Sequence, residues 1–315
     1  MDTNTVLLGL RPAWLVAAVF AAGSAMLLPA PLAAQTAPGE IAGHKLPVPG
    51  DKVGGTTAKL SEVEAEMVAR LPPQGQVERL LQYAVSHHIG ATDEIKGRVK
   101  GWRGVITFTP ALDTLLDVAR NGDDLRVRAA AFEIELAALN IAKTATQVDA
   151  LFGPIAADPR DARQYIYILG ILANRGVETY RIHQELRRLT HSEDHLVRFQ
   201  AYAAIANIGT DETVRDLMDA FHHDPSFEVR INGGGCGLAH CGMLTRAQRM
   251  LAIPGLIEMA GDKALDALDV TYAYRALREI TDEAWPDNAR LWREWYASHG
   301  AETTDRFRRF EDARK

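Results

Sequence analysis

Residues able to do chemistry are few in this chain of 315 residues, and they gather in one stretch, Ile231-Asn232-Gly233-Gly234-Gly235-Cys236-Gly237-Leu238-Ala239-His240-Cys241-Gly242. On a helix Cys236 and His240 stand at i and i+4, within reach of each other, so an imidazole could take the thiol proton of a nucleophile. With Cys241 added, two sulfurs and one imidazole make three candidate metal ligands. Neither a fourth ligand nor an acid to orient the histidine stands nearby in sequence. Cys236 and Cys241 are also the only cysteines, and in an oxidising compartment two cysteines raise the question of a disulfide. Five residues of continuous helix turn through about 500°, which sets the two side chains well apart. A bridge therefore requires the glycines to break the helix. Four glycines inside one helix would cost about 3 to 4 kcal/mol relative to alanine. No Gly-Lys-Ser/Thr follows and no strand precedes, which argues against a phosphate-cradling loop. The plainer reading of the segment, a weakened or closely packed repeat helix or a hinge, is preferred, with no catalytic residue, metal or cofactor assigned.

Two other groups invite the same question. Histidines occur as His87-His88, as His191 with His195, and as His222-His223, but there is no Cys-x-x-Cys-His. His191 and His195 straddle an expected turn, and His222-His223 suit a helix C-terminus through the dipole. Near the other end, Trp285, Trp292, Trp295 and Tyr296 crowd into a dozen residues. The last three share a helical face, which would seal the open end of a helical stack or, alternatively, form a platform for a sugar or peptide. No Ser-His-Asp context, His-Glu-x-x-His or dinucleotide fingerprint is present.

The elements that must carry these residues are helices. From residue 59 onward helical patterns alternate with short polar breaks, and no sustained period-two alternation appears. Val197, Ala201, Ala204, Ile205 and Ile208 form one apolar stripe over Asp194–Ile208, which Gly209 ends. Thr210 or Asp211 then caps a second helix through Val214, Leu217, Met218 and Phe221, which Asp224-Pro225 stops. This pair recurs. Arg128, Arg163, Arg198 and Arg230 fall in equivalent contexts, at steps of 35, 35 and 32 residues.

A period in the thirties, two antiparallel helices and Val-Arg within the first of them resemble the HEAT family, particularly the HEAT-like repeats of phycobiliprotein lyases. The resemblance is clearest over 124–244, with a degenerate C-terminal cap at 264–297 and a charged tail at 301–315. It implies an all-α fold, a right-handed superhelix (α-solenoid) of stacked antiparallel helix pairs over 59–300, in which the four arginines are structural rungs.

Composition bounds the rest. An apolar fraction of 47% supports a continuous core. A net charge of −6, with acids and bases interspersed, offers no basic footprint for nucleic acid. Residues 1–34 read as a signal peptide: Arg11 is the sole cation, Ala13–Leu28 is almost wholly apolar, and small residues precede Gln35. The alternative is an uncleaved membrane anchor, since Leu15–Ala34 is about as long as a spanning helix. Residues 35–58, rich in glycine and proline, read as a flexible linker. The expectation is an exported scaffold, periplasmic or secreted, that binds a protein or peptide partner without catalysis and has no membrane span after cleavage. The alternatives are a bilin-lyase-like enzyme and a metal-binding protein using Cys236, His240 and Cys241.

Overall fold

The computed structural model describes residues 60–313 apart from 87 and 89; the expected signal peptide and linker lie outside them, as does His87. Among the described residues every regular element is a helix. In chain order they are α1 (Glu62–Ala69), α2 (Pro73–Val85), α3 (Gly90–Trp102), α4 (Pro110–Asn121), α5 (Leu125–Ala138), α6 (Ala145–Ala157), α7 (Arg163–Asn174), α8 (Thr179–Leu189), α9 (His195–Ile208) and α10 (Asp211–His223). A π-helical segment (Val229–Gly235) then leads into α11 (Cys236–Ala239). After it come α12 (Arg246–Arg249), a 3₁₀ turn (Met250–Ala252), α13 (Ile253–Gly261), α14 (Ala267–Thr281) and α15 (Ala289–Ala313).

Local chemistry sets most of these boundaries. The Asp124 and Asp194 side chains accept from the amides of Arg126 and Leu196, at 3.0 and 2.8 Å, and so start α5 and α9. Gly209 takes the left-handed conformation, φ 73°, that ends α9, and Thr210 opens α10 in a reciprocal capping box with Thr213. Neighbouring helices pack in pairs, α7 with α8 and α9 with α10, and α7 and α9, the first helices of successive pairs, pack directly on each other. The architecture is an all-α solenoid of such pairs. Its core is continuous because α5 serves two apolar clusters: Ala130 and Ile134 face the N-terminal one, and Phe132 and Leu136 the larger C-terminal one.

The predicted rungs are not equivalent. Arg198 donates to both carboxylate oxygens of Asp224, at 2.8 and 3.0 Å, and to the carbonyls of Ser192 and Glu193. Arg230 repeats the device with Asp269 and also donates to the Asp224 carbonyl at 3.0 Å, so Asp224 joins the two units. Arg163 is half-buried at the start of α7 and makes no such tie among the described residues. Arg128 is buried but reaches outside its own repeat, to the carbonyls of His240 and Gly242. Arg198→Ala strands a buried carboxylate and is expected to lower stability by about 3 kcal/mol. Pairing it with Asp224→Ala in a thermal-melting double-mutant cycle should recover part of that loss, whereas strict additivity would refute the rung.

The C-terminus departs from expectation. Residues 301–313 are not a free charged tail: α15 runs on through them, burying Thr303 and Phe307, while the Glu311 carboxylate accepts from the Ala247 amide at 3.1 Å. Charges dominate that sequence, but one large apolar residue at the right helical position suffices to dock it. Upstream in the same helix Trp292 and Trp295 are buried and meet edge to face, with centroids 5.7 Å apart. Tyr296 is half-buried beside them, whereas Trp285 is exposed and outside this cluster.

Candidate functional site

The glycines of the 231–242 stretch are packed into the solenoid. A Cβ on Gly234 would overlap the backbone of α10, at 2.7 Å from the Leu217 carbonyl oxygen and 2.8 Å from Phe221 Cα, and still closer to the Phe221 amide nitrogen. The close-packing reading of the segment therefore holds, and the helix does not break at the glycines. It widens there into a π-helical run and resumes as α11.

The chain leaves the helix at His240, φ −151°, and turns at Gly242, φ 69°. In that turn the amides of His240 and Cys241 both bond to the Cys236 carbonyl, at 3.0 and 2.7 Å. An i to i+5 closure makes five residues nearly one turn. Cys241 thereby comes back over Cys236, with Cα atoms 5.2 Å apart, and the two are joined in a disulfide. The expectation that a bridge needs the glycines to break the helix is thus corrected: the break that permits it lies after them.

Against this bridge stands His240, whose Nε2 lies 3.4 Å from Cys236 Sγ. Its Nδ1 is 2.8 Å from the Glu279 carboxylate, presented by α14, and the other oxygen of Glu279 accepts from Arg275 Nε at 2.6 Å. Burial pushes the Glu279 carboxyl up, but the hydrogen bonds from His240 and Arg275, with their charges, outweigh it and hold the group at about 2. The carboxylate is ionised throughout the physiological range. The orienting acid that the sequence does not show near His240 is therefore Glu279, 39 residues away. The Cys236, His240 and Cys241 ligand atoms lie within 4.8 Å of one another, but with the bridge closed neither sulfur is a thiolate. They could act as a three-ligand metal set only in the dithiol form.

Two arginines hold the turn from beneath. Arg249, buried, donates to the carbonyls of Gly237, Leu238, Cys241 and Leu244, at 2.7, 2.5, 2.9 and 3.1 Å. Carbonyls at a helix C-terminus have no partner within the helix, and a guanidinium supplies five donors. Arg128 does the same for His240 at 2.8 Å, and for Gly242. Burial first, then the charges of Arg128 and Arg246, push the Arg249 guanidinium down to about 9, so it is still a cation at neutral pH. The turn that carries the partly exposed disulfide is thus held through its carbonyls by two buried cations.

The remaining sequence candidates do not join this centre. His195 lies 3.8 Å from Glu228 on a neighbouring unit. His222 and His223 end α10, where with Asp219, Glu258 and Met218 they line an open groove of about 460 Å³ between α10 and α13. The buried histidine that the sequence does not single out is His183. It ties α8 to α10 through Asp216, 2.6 Å away, and Arg187 shares that carboxylate.

A separate surface patch lies where the π-helical segment meets α14. Phe227 and Leu268 are 44% and 54% exposed, and Phe227 meets the half-buried Tyr272 edge to face at 6.4 Å. The Arg230 guanidinium lies over the Phe227 ring, 5.7 Å from its centroid.

Residues 148–232 match the family of HEAT repeats. The match is to HEAT repeats at large and carries nothing specific to phycobiliprotein lyases. No curated protein and no solved structure matches the chain.

Proposed function

Because the chain carries HEAT repeats over residues 148–232, we propose that it is an exported scaffold whose function is to bind a protein or peptide partner. A row of helix pairs presents an extended surface, which suits macromolecular partners better than small substrates. The observation that carries the reading is the patch of Phe227, Leu268 and Tyr272 with Arg230 among them. Exposed aromatic and aliphatic groups beside an arginine are the composition of binding hot spots, and this patch lies at the edge of the matched repeats. Net negative charge with interspersed signs counts against nucleic acid. No described helix is long and apolar enough to cross a membrane. Export to the periplasm or cell exterior rests on the apolar N-terminal stretch before Gln35.

Crosslinking in intact cells followed by mass spectrometry tests this directly. A specific partner should be recovered with the wild type, and its yield should fall about tenfold or more with the double variant Phe227→Ala/Leu268→Ala, as befits two hot-spot truncations. Equal recovery with both proteins would move the interface elsewhere. No specific partner under several growth conditions would refute the scaffold.

A further inference from the structure

We propose that the Cys236–Cys241 disulfide is redox-active and exchanges with a dithiol donor, with His240 as its acid–base group and Glu279 as the residue that positions it. The inference is independent of the binding reading, because neither the patch nor a partner enters it.

Four observations carry it. The bridge is within reach of solvent, since Cys236 and Cys241 are both half-buried and His240 is exposed. Among the described residues only one of its sulfurs has an acid–base partner: His240 Nε2 lies 3.4 Å from Cys236 Sγ. That imidazole is oriented, because Nδ1 bonds to Glu279 at 2.8 Å and Arg275 holds the carboxylate in place. The backbone around both cysteines is fixed by Arg249 and Arg128 through carbonyls, not through the bridge, so the turn keeps its shape when the bridge opens. A disulfide that only staples a fold needs none of these neighbours.

The arrangement makes the two sulfurs unequal. A thiolate of the donor attacks Cys241 Sγ, and the bond between Cys241 and Cys236 breaks with its electron pair going to Cys236 Sγ. The protonated imidazole of His240 delivers its Nε2 proton there, leaving a Cys236 thiol and a neutral histidine whose Nδ1–H still donates to Glu279. The proton from His240 makes Cys236 the better leaving group, and a better leaving group speeds exchange. The donor's second thiol, once deprotonated, attacks its own sulfur in the mixed disulfide and releases Cys241 as a thiolate, which takes up a proton. Overall the donor dithiol is oxidised to a disulfide and Cys236/Cys241 is reduced to a dithiol, with two electrons and two protons transferred. In reverse, the Cys241 thiolate attacks a partner disulfide and forms the mixed disulfide, and Cys236, deprotonated by His240, then attacks Cys241 Sγ, closing the bridge and releasing the partner as a dithiol.

The experiment follows opening of the bridge in the folded full-length chain. Dithiothreitol is the donor, samples are acid-quenched at intervals, free thiols are alkylated, and the reduced fraction is read by mass spectrometry. The wild type should open without denaturant, and circular dichroism should show the helical content retained. His240→Gln should open about tenfold more slowly or worse, and Glu279→Gln should fall between the two. Glu279→Asp should restore part of the rate, which a loss of packing alone would not explain. Phe227→Ala/Leu268→Ala should match the wild type, separating this proposal from the binding reading. A bridge that opens only in denaturant, or one that opens at the wild-type rate in both His240→Gln and Glu279→Gln, would overturn the proposal.

Discussion

Gly234→Ala is expected to destabilise the protein by about 3 kcal/mol, the upper end of the usual cost of overpacking a core. On helix propensity alone the sign would be opposite, since alanine is better than glycine in a helix by about 1 kcal/mol. The added methyl decides the outcome because of what it meets. Its closest neighbours are the Leu217 carbonyl and the Phe221 amide nitrogen and Cα, backbone atoms of α10 that cannot swing aside as a side-chain tip can. Relief requires α10 to move off the π-helical segment, and with it Leu217 and Phe221, both buried in the main cluster. Gly153→Ala in α6 is the control, for nothing lies within 4 Å of its added methyl; it should be neutral or stabilising by up to about 1 kcal/mol. Urea unfolding of the two variants beside the wild type checks both signs. A Gly234→Ala protein as stable as Gly153→Ala would mean that the glycines serve flexibility and not close approach.

How much of this was legible in the sequence follows from the range of each interaction. The start of α9 depends on the Asp194 side chain bonding amides two and three residues on, and its end on the left-handed backbone that Gly209 adopts, so a short window of sequence contains the whole cause. The repeat is visible for the same reason, as a local pattern occurring several times. Arg128, by contrast, sits in the same sequence context as Arg198 yet bonds to carbonyls 112 and 114 residues away. No periodicity announces that, because the spacing shows where a rung starts and not what lies opposite. Glu279 was invisible as a partner of His240 for a related reason: it is one of 41 acidic residues, and only the packing of α14 against α11 selects it. The bridge was open to doubt because 500° of regular helix separates its cysteines; the i to i+5 turn that removes the doubt is set by His240 and Gly242, a local event of low sequence specificity. Phe307 shows the converse failure, where a charge-rich segment conceals one residue with a place in the core.

Arg249→Leu is expected to cost about 4 kcal/mol, comparable to breaking a buried ion pair by removing one partner. The side chain is buried, and what it bonds to are the backbone oxygens of Gly237, Leu238, Cys241 and Leu244, each of which would be left without that donor. A leucine fills part of the volume and supplies no donor. Arg249→Lys discriminates charge from geometry. It retains a cation, but one with three donors on a single nitrogen in place of a planar fork. Four carbonyls spread over eight residues cannot all be met from one point, so the lysine variant should recover only about half the loss. Urea denaturation of the three proteins gives the ordering wild type, lysine, leucine, with unchanged dependence on denaturant if the fold is otherwise intact. Equal stability of the lysine and wild-type proteins would show that the guanidinium's shape is irrelevant. The same variants also test the turn as a platform for the disulfide. If Arg249 holds Cys241 through its carbonyl, the lysine protein should lose registry between Cys241 and Cys236, and after reduction its bridge should reclose more slowly than in the wild type at equal oxidant concentration.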